Sequence, residues 1–200
     1  LAGKSVTLKL NDKPSTDGGW EIVVKPISDE AGPRYLDWLA ANRKRVSDAT
    51  GGRVGYIYVP DTSVQGIIEF DKALNAQLDK DGIIIDERYN QGGWIPDFYT
   101  EKLKRQLLAV VAPRDTKDIP WPPVGIYGPK VMIVNELSGS GGDAFPWFFR
   151  REKIGPIVGT RTWGGLVGIG NGQPLRDGGG VTAPSFGFWR KARQTRPPIE

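Results

Sequence analysis

The stretch KVMIVNELSGSGGD, residues Lys130–Asp143, decides the fold of this chain. It begins with the apolar run Val131–Val134, which is typical of a strand buried on both faces of a parallel sheet. A turn rich in glycine and serine follows, and residues 141–150 are predicted to form a helix. A strand that passes through a tight turn into a helix is the building unit of an α/β fold.

The same alternation of strands and helices extends outward from this stretch. Strands are predicted at 53–59, 81–86, 130–135 and 155–159, and helices at 29–46, 64–78, 95–111 and 141–150. This alternation predicts a mostly parallel sheet with flanking helices, so the fold class is α/β. The glycine-rich region after Gly164 is expected to mix strands and loops.

The first residues have a different pattern. Two short strand-like runs, Ser5–Leu10 and Glu21–Lys25, flank a turn-rich segment, and a hairpin of this size cannot bury a core alone. We therefore expect residues 1–27 to be the end of a β-rich domain, 28–189 to be the α/β domain and 190–200 to be a basic tail. Because the sequence begins with Leu1 and not with methionine, we expect it to start inside a longer protein.

Composition narrows the classes of function. Hydrophobic residues make up 38% of the 200 residues, and no apolar run is long enough to cross a membrane. There is no cysteine, which excludes disulfides and thiolate metal sites. Most of the net charge of +4 lies in the last eleven residues, so the fold lacks the broad basic face of a nucleic-acid binder. The absence of histidine means that the commonest general base must come from outside this sequence.

Two glycine-rich junctions follow the predicted buried strands. The first, Asp86–Gly93 (DERYNQGG), could cradle an anion with its main-chain N–H groups, but on its own it reads better as a tight turn. The second, Asn135–Asp143, places Ser140 between glycines at a helix start, where the helix dipole stabilises negative charge. Ser138 or Ser140 could instead cap the helix, and phosphate binding would also fit, although the turn lacks the lysine of a nucleotide P-loop.

Together the two junctions resemble the core of the C-terminal processing, or tail-specific, superfamily of serine peptidases. That core pairs a strand end of the pattern Asp-x-Arg-x-Asn-x-Gly-Gly with a later Asn-x-x-(small)-x-Ser turn. The matching residues here are Asp86, Arg88, Asn90, Gly92, Gly93, Asn135 and Ser140. Within the superfamily the chain is most similar to the tricorn branch, over residues 51–61, 78–93, 128–145 and 159–168.

The resemblance implies a crotonase-like or ClpP-like peptidase core preceded by the last strands of a PDZ-like domain. Ser140 matches the nucleophile, and the oxyanion hole would be formed by the N–H of Gly141 and of one glycine of the Gly92–Gly93 pair. The implied reaction is acyl transfer to Ser140 and hydrolysis of short peptides in the cytoplasm by a hexamer. No cofactor and no metal are implied, and neither a membrane nor a nucleic acid is an expected partner.

The chain departs from the family pattern in two places. The processing peptidases activate their serine with a lysine, but Thr162–Leu166 contains none and Gly165 stands in its place. The tricorn branch instead uses a Ser–His pair from a segment before the PDZ-like domain, together with a later Glu that residues 190–200 do not match. In that branch an acidic residue faces a basic substrate side chain, and Asp115 and Asp118 are the candidates for this role.

Other polar residues near the junctions have plainer interpretations. Asp86 and Arg88 are expected to form a buried pair that braces the loop, and Glu136 is expected to bond to the glycine loops. The tryptophans are expected in the core or at subunit interfaces; those considered are Trp94, Trp121, Trp147, Trp163 and Trp189.

Two alternatives to a peptidase stay open. The first is a non-catalytic chain that binds peptides or assembles without turnover, since histidine and the later Glu are missing. The second is a crotonase-like acyl-CoA enzyme, for which Glu136 is the acidic candidate. A structure tests the shared premise, which is that Ser140 is exposed at a helix start and lies close to Gly92 and Gly93.

Overall fold

The computed structural model describes residues 1–188, so the predicted basic tail at 190–200 lies outside the described residues. In chain order the elements are β1 (Val6–Leu10), β2 (Trp20–Val24), α1 (Ala31–Thr50), β3 (Val54–Tyr58), α2 (Val64–Asn75), β4 (Gly82–Asp86), α3 (Pro96–Leu103), β5 (Ala109–Val111), β6 (Ile119–Trp121), β7 (Lys130–Val134), α4 (Gly141–Arg151), β8 (Ile157–Gly159), β9 (Val167–Asn171) and β10 (Thr182–Gly187). The chain divides into two compact units after Asn42.

The first unit contains the predicted hairpin. Strands β1 and β2 pair in antiparallel register from Val6 opposite Val24 to Leu10 opposite Trp20. Helix α1 begins after Asp29, whose carboxylate accepts a hydrogen bond from the N–H of Ala31 and so satisfies one of the free donors at the helix start. The assignment of residues 1–27 to a PDZ-like domain stays a prediction.

The second unit is built around a four-stranded sheet in the order β3-β4-β7-β8, and each neighbouring pair is parallel. The central strands are apolar on both faces, and Ile57, Ile85 and Met132 are fully buried. The observed α/β architecture confirms the predicted fold class.

Aromatic side chains from three helices pack together in the core. Phe70 of α2 meets the ring of Tyr99 of α3 at 5.0 Å, and Tyr99 meets Phe145 of α4 at 5.3 Å between ring centroids. All three rings are fully buried, and burial of such a side chain contributes about 1.5–3 kcal/mol. This cluster fixes the helix that follows the Ser140 turn to its neighbours.

The predicted helix at 95–111 is wrong beyond its first half. Helix α3 ends at Leu103, and Ala109–Val111 forms β5, which pairs antiparallel with β6. The run Leu107–Val111 is apolar at consecutive positions and ends in two valines, so it lacks the helical period and favours an extended chain. Helix α2 is also shorter than predicted and ends at Asn75, whereas α1 continues to Thr50.

The carboxyl ends of the four parallel strands lie at one edge of the sheet, where sites in α/β proteins form. The loops at this edge begin at Val59, Glu87, Asn135 and Thr160. The last of them leads into the antiparallel pair β9–β10, the mixed region expected after Gly164. No helix within residues 1–188 combines the length and apolar character that a bilayer crossing requires.

Candidate active site

Ser140 is exposed at the first turn of α4 and has an unusual backbone. Its φ of 58° and ψ of −114° are rare for a residue with a side chain, and such conformations cost about 1–3 kcal/mol. The hydroxyl of Ser140 makes no capping hydrogen bond to α4. The predicted exposed serine at a helix start is confirmed, and the helix-cap alternative fails for it.

The two glycine junctions are in contact. A side chain at Gly92 would place its Cβ 2.7 Å from the Cβ of Ser140 and 2.9 Å from the carbonyl oxygen of Gly139. A Cβ at Gly141 would collide with Oγ1 of Thr62 and with the main chain of Gly93. The prediction that Ser140 lies beside Gly92 and Gly93 is confirmed, and only glycine fits where the loops approach so closely.

Hydrogen bonds join the same two junctions. The N–H of Gly139 donates to the carbonyl oxygen of Asn90 at 3.0 Å. The N–H of Tyr89 donates to Oδ1 of Asn135 at 2.9 Å. The hydroxyl of Ser138 is buried and donates to the carbonyl oxygen of Glu87 at 2.8 Å. Ser138 is therefore a link between the loops and not a helix cap.

The main-chain donors around Ser140 differ in availability. The N–H of Gly92 donates to Oδ1 of Asn90 at 2.8 Å, so it is already engaged. Among the hydrogen bonds of residues 1–188, none uses the N–H of Gly93 or of Gly141. Gly141 is also the first residue of α4, where the positive end of the helix dipole lies.

The first junction is braced as predicted. The carboxylate of Asp86 is fully buried and receives hydrogen bonds from the Arg88 guanidinium, the shortest at 2.6 Å, and from the Tyr56 hydroxyl at 2.6 Å. Burial, followed by the Asp86 carboxylate, raises the pKa of Tyr56, so the phenol keeps its proton. Asp86 and Arg88 therefore brace the loop.

Asp143 is a functional candidate that the sequence reading missed. Its buried carboxylate accepts hydrogen bonds from the N–H groups of Gly164 at 2.6 Å and Gly165 at 2.9 Å. The neighbouring N–H of Trp163 donates to the carbonyl oxygen of Ser138 at 2.9 Å. Asp143 thus ties the loop after β8 to the Ser140 turn.

Thr62 and Glu87 were also missed, and both are fully buried. Among the described residues, Oγ1 of Thr62 and both carboxyl oxygens of Glu87 lack a hydrogen-bond partner. Burial raises the pKa of Glu87 well above 4.5, and the charges of Asp143 and Asp86 add to the effect. The available signal was position, since each residue follows the carboxyl end of a parallel strand.

Two cavities share Ser140. The first has a volume of about 440 Å³ and is mainly apolar; its side chains include Trp94, Phe148, Leu166 and Phe186. The second has a volume of about 310 Å³ and is lined by Asn90, Gln91, Glu136, Leu137, Gly139, Ser140 and Trp163. Trp94 and Trp163 are strongly exposed and line these cavities, so they do not lie in the core, and their place at a subunit interface stays a prediction.

The other predicted residues lie elsewhere, have different partners or fall outside the described residues. Asp115 and Asp118 are exposed in the connection between β5 and β6, and they are not among the residues that line either cavity. The carboxylate of Glu136 accepts a hydrogen bond from the Thr160 hydroxyl at 2.5 Å, so the expected bond to the glycine loops is wrong. Trp189 lies outside the described residues.

Lys130 has a lowered pKa but begins β7, at the opposite end of that strand from the Ser140 turn. Burial is the cause of the lowered pKa, which a catalytic lysine would need. The ammonium group of Lys130 donates to the carbonyl oxygen of Gly128. Neither cavity at Ser140 includes a lysine among its lining residues in the part of the chain that the structure describes.

Comparisons with known proteins agree with this geometry. The profile of peptidase family S41 matches residues 53–197. Tricorn protease homolog 1 of Streptomyces coelicolor is 38% identical over 191 residues, which cover 94% of this chain and 18% of that protein. Tricorn protease of Thermoplasma volcanium is 37% identical over 194 residues, covering 96% of this chain and 19% of that protein.

A solved structure gives the same result in three dimensions. The crystal structure of the tricorn protease superimposes with a TM-score of 0.81 at 34% identity, covering 95% of this chain and 18% of that one. The chain therefore spans about a fifth of the length of the relatives it matches.

Proposed function

This chain belongs to peptidase family S41 and is similar to tricorn proteases, and from that premise we propose that it forms the Ser140-bearing core of a serine peptidase that hydrolyses short peptides. One observation carries the proposal. Ser140 is exposed, strained and uncapped, and it stands beside two main-chain N–H groups, of Gly93 and Gly141, that have no acceptor among the described residues.

In the proposed reaction, Oγ of Ser140 attacks the scissile carbonyl carbon and its proton passes to a base. The carbonyl oxygen becomes an oxyanion that accepts hydrogen bonds from the N–H groups of Gly93 and Gly141. Each donor of this kind contributes about 10²–10³-fold to turnover. The tetrahedral intermediate then expels the amine, which takes the proton, and water hydrolyses the acyl-enzyme to release the acid.

The base is not supplied by histidine within these 200 residues, because the sequence contains none. We propose that it comes from a segment outside this chain, since members of a catalytic group are united by geometry and not by sequence position. The 200-residue chain alone is then nearly inactive. The cytoplasmic location, the hexamer and a role for Asp115 or Asp118 toward a basic substrate group remain predictions of the same resemblance.

The apolar cavity gives the proposed peptidase a place for a substrate side chain. Leu166 is buried in its wall, and the rings of Trp94 and Phe186 lie 5.0 Å apart at its rim. A volume of about 440 Å³ beside Ser140 accommodates a large apolar residue next to the scissile bond.

The alternative of a binding-only protein is favoured by the missing histidine and stays as the second candidate. The acyl-CoA alternative has less support. The Thr160 hydroxyl lowers the pKa of Glu136, which makes this carboxyl group a poor proton donor at neutral pH.

A serine-reactive phosphonate separates the two candidates. We expect it to label Ser140 in the protein encoded by the complete gene and to leave the 200-residue chain nearly unlabelled. Ser140→Ala should abolish labelling and reduce peptide hydrolysis by at least about 10³-fold. Ser47→Ala, an exposed serine on α1, is the matched control and should change neither. If the complete protein binds peptides but neither reacts with the phosphonate nor cleaves peptides, the binding-only function is correct.

A further inference from the structure

Thr62 is joined to the first glycine turn through its main chain. It lies in the loop that follows β3, and its N–H donates to the carbonyl oxygen of Gly92 at 2.8 Å. Its own carbonyl oxygen accepts the N–H of Ile95 at 3.1 Å. Gly93 lies between these two bonds, and a Cβ there would collide with the main chain of Thr62. Thr62 therefore fixes the backbone on both sides of Gly93.

The first of these bonds sets the direction of the Gly93 N–H. This N–H and the carbonyl of Gly92 belong to one peptide group, which is planar and trans, so the two bonds point in opposite directions. Because the carbonyl oxygen of Gly92 faces Thr62, the N–H of Gly93 faces away from it. Gly92 and Gly93 have φ values of 84° and 142°, and glycine is so permissive that little else in the local backbone opposes rotation of this peptide group.

The second proposed donor, the N–H of Gly141, is held in a different way. It shares a peptide group with the carbonyl of Ser140. That carbonyl oxygen accepts the N–H groups of Asp143 at 2.9 Å and Ala144 at 3.1 Å. The first turn of α4 therefore sets the direction of the Gly141 N–H. Its distance from Gly93 is not set by α4, because Gly93 belongs to another loop.

The side chain of Thr62 lies where the two donor residues meet. A Cβ at Gly141 would collide with Oγ1 of Thr62, and it would lie 2.8 Å from the main-chain nitrogen of Gly93. Thr62 is fully buried, and its Oγ1 has no hydrogen-bond partner among residues 1–188. The side chain therefore acts by its shape, and a β-branched side chain suits this role because its χ1 is stiff.

We propose that Thr62 is a positioning residue for the oxyanion hole: its N–H orients the Gly93 donor, and its side chain sets the distance between Gly93 and Gly141. The chemical consequence rests on the proposed peptidase function, since both glycines line the larger cavity together with Ser140. Two donors serve one oxyanion only when each lies within about 3 Å of it. The residue that sets their spacing therefore stabilises the transition state more than the bound substrate.

The first test uses the protein encoded by the complete gene and a fluorogenic peptide. Thr62→Ala removes the spacer and should lower kcat by about 10²-fold with a change in KM of less than about two-fold, because the oxyanion forms only after the substrate has bound. Thr62→Val keeps the shape without the hydroxyl and should retain kcat within about three-fold. Equal losses in the two variants would show that the hydroxyl is required, which would overturn the spacer.

The N–H of Thr62 is tested by an ester at the same place. Incorporation of α-hydroxyisovalerate at position 62 gives the side chain of the Thr62→Val variant with an oxygen in place of the N–H. This change removes the donor to Gly92 and should lower kcat by at least about tenfold relative to Thr62→Val, again with little change in KM. An unchanged kcat would overturn the orienting role.

Thr100 is the matched control for all three changes. It is buried in α3 and lines neither cavity, and its hydroxyl donates to the carbonyl oxygen of Pro96 at 3.1 Å. Thr100→Ala, Thr100→Val and the ester at position 100 should lower the unfolding temperature, since each removes a buried hydrogen bond, and should leave kcat within about two-fold. If Thr62→Ala lowers kcat no more than Thr100→Ala does, the inference is overturned.

Crystal structures of the wild-type protein and of Thr62→Ala separate this inference from the proposed reaction. A changed distance between the main-chain nitrogens of Gly93 and Gly141 supports the positioning role even when the wild-type protein cleaves no peptide, and only the peptidase proposal then fails. An unchanged distance overturns the positioning role. In that case, cleavage by the wild-type protein supports the peptidase alone, and the absence of cleavage overturns both.

Discussion

The two glycine turns at neighbouring strand ends are stabilised in different ways. The turn after β4 has internal side-chain braces, since Asp86 holds Arg88 and the side chain of Asn90 holds the N–H of Gly92, in addition to the bonds it makes with Asn135 and Ser138. The turn after β7 depends on other segments. Its Gly139 donates to the first turn, and Asp143 beyond it holds the loop after β8.

This difference teaches how a strained serine is kept in place. Ser140 occupies an unfavourable backbone conformation in the externally held turn, and the self-braced turn provides the rigid surface against which it is pressed. Strain of this kind persists only where surrounding structure over-determines the conformation. The four predictions below remove one element of this support at a time.

The largest effect is expected from loss of the brace in the first turn. Asp86→Asn should destabilise the fold by about 3 kcal/mol, because the buried partner of Arg88 and Tyr56 loses its charge. Asp81→Asn is the matched control, since its contact with Arg53 is long at 3.8 Å and exposed; it should change stability by less than about 0.5 kcal/mol. Urea denaturation measures both, and equal effects would mean that the turn is not self-braced.

The next largest effect is expected from a new side chain that displaces Ser140. In Gly92→Ala the new Cβ meets the Ser140 side chain, so the serine must move, and a shift of about 1 Å can cost about 10²-fold in rate. Gly178→Ala provides a close control, because Gly178 has the same φ of 84° but no atom within 4 Å of the new Cβ. The rate of phosphonate labelling at Ser140 is the measurement. A normal rate in Gly92→Ala would show that the turns are not in tight contact.

Loss of the hydrogen bonds between Asp143 and the loop after β8 should have a somewhat smaller effect than Gly92→Ala. Asp143→Asn leaves one oxygen to accept two N–H groups, and the loss of hydrogen bonds to a charged acceptor should cost about 2 kcal/mol of stability. Asp177→Asn removes the charge from an exposed aspartate that also accepts a glycine N–H, and it should be nearly neutral. Thermal unfolding compares the two. The prediction fails if Asp143→Asn is as harmless as its control.

The smallest effect, counted per pH unit, concerns Glu87 of the first turn, whose carbonyl oxygen accepts a hydrogen bond from Ser138 of the second. Its pKa is raised in the folded state, so the folded protein holds this proton more tightly than the unfolded chain. The resulting stability is complete below pH 4.5 and is lost as pH rises toward the raised pKa, by at most about 1.4 kcal/mol per pH unit.

Glu87→Gln should therefore flatten the decline in stability above pH 4.5 and raise stability at neutral pH. Glu69→Gln, at an exposed position, should leave the pH profile unchanged. Denaturation curves between pH 4.5 and 8 give the comparison, and parallel profiles for wild type and Glu87→Gln would contradict the buried protonated state.

The sequence predicted features that depend on local pattern. Runs such as Ile83–Ile85 and Val131–Val134 are apolar at consecutive positions and are bounded by turns. This combination is typical of a buried strand in a parallel sheet. Their order then placed Ser140 and Gly92 at one edge, as observed. The helix expected at 95–111 was wrong in its second half because the run Leu107–Val111 is apolar at consecutive positions, which favours an extended chain over an amphipathic helix.

The parts of the site that the sequence did not predict all depend on contacts between residues that are distant in the sequence. Thr62 touches Gly141 across most of the sheet, and Asp143 receives the N–H groups of a loop more than twenty residues away. Nothing in the local pattern around Thr62, Asp143 or Trp163 indicates such a partner. Aspartate in the first turn of a helix ordinarily interacts favourably with the helix dipole. The sequence around Asp143 is explained by that role alone, so it does not indicate that Asp143 also binds a loop.

The backbone of Ser140 has a consequence for how this protein tolerates mutation. Glycine is the one residue that adopts such a conformation at little cost, so a library selected for thermal stability alone would favour glycine at position 140. A library selected for turnover would retain serine. If the two selections favoured different residues, position 140 would be identified as a site where activity is kept at the expense of stability. This conclusion would need no knowledge of the reaction.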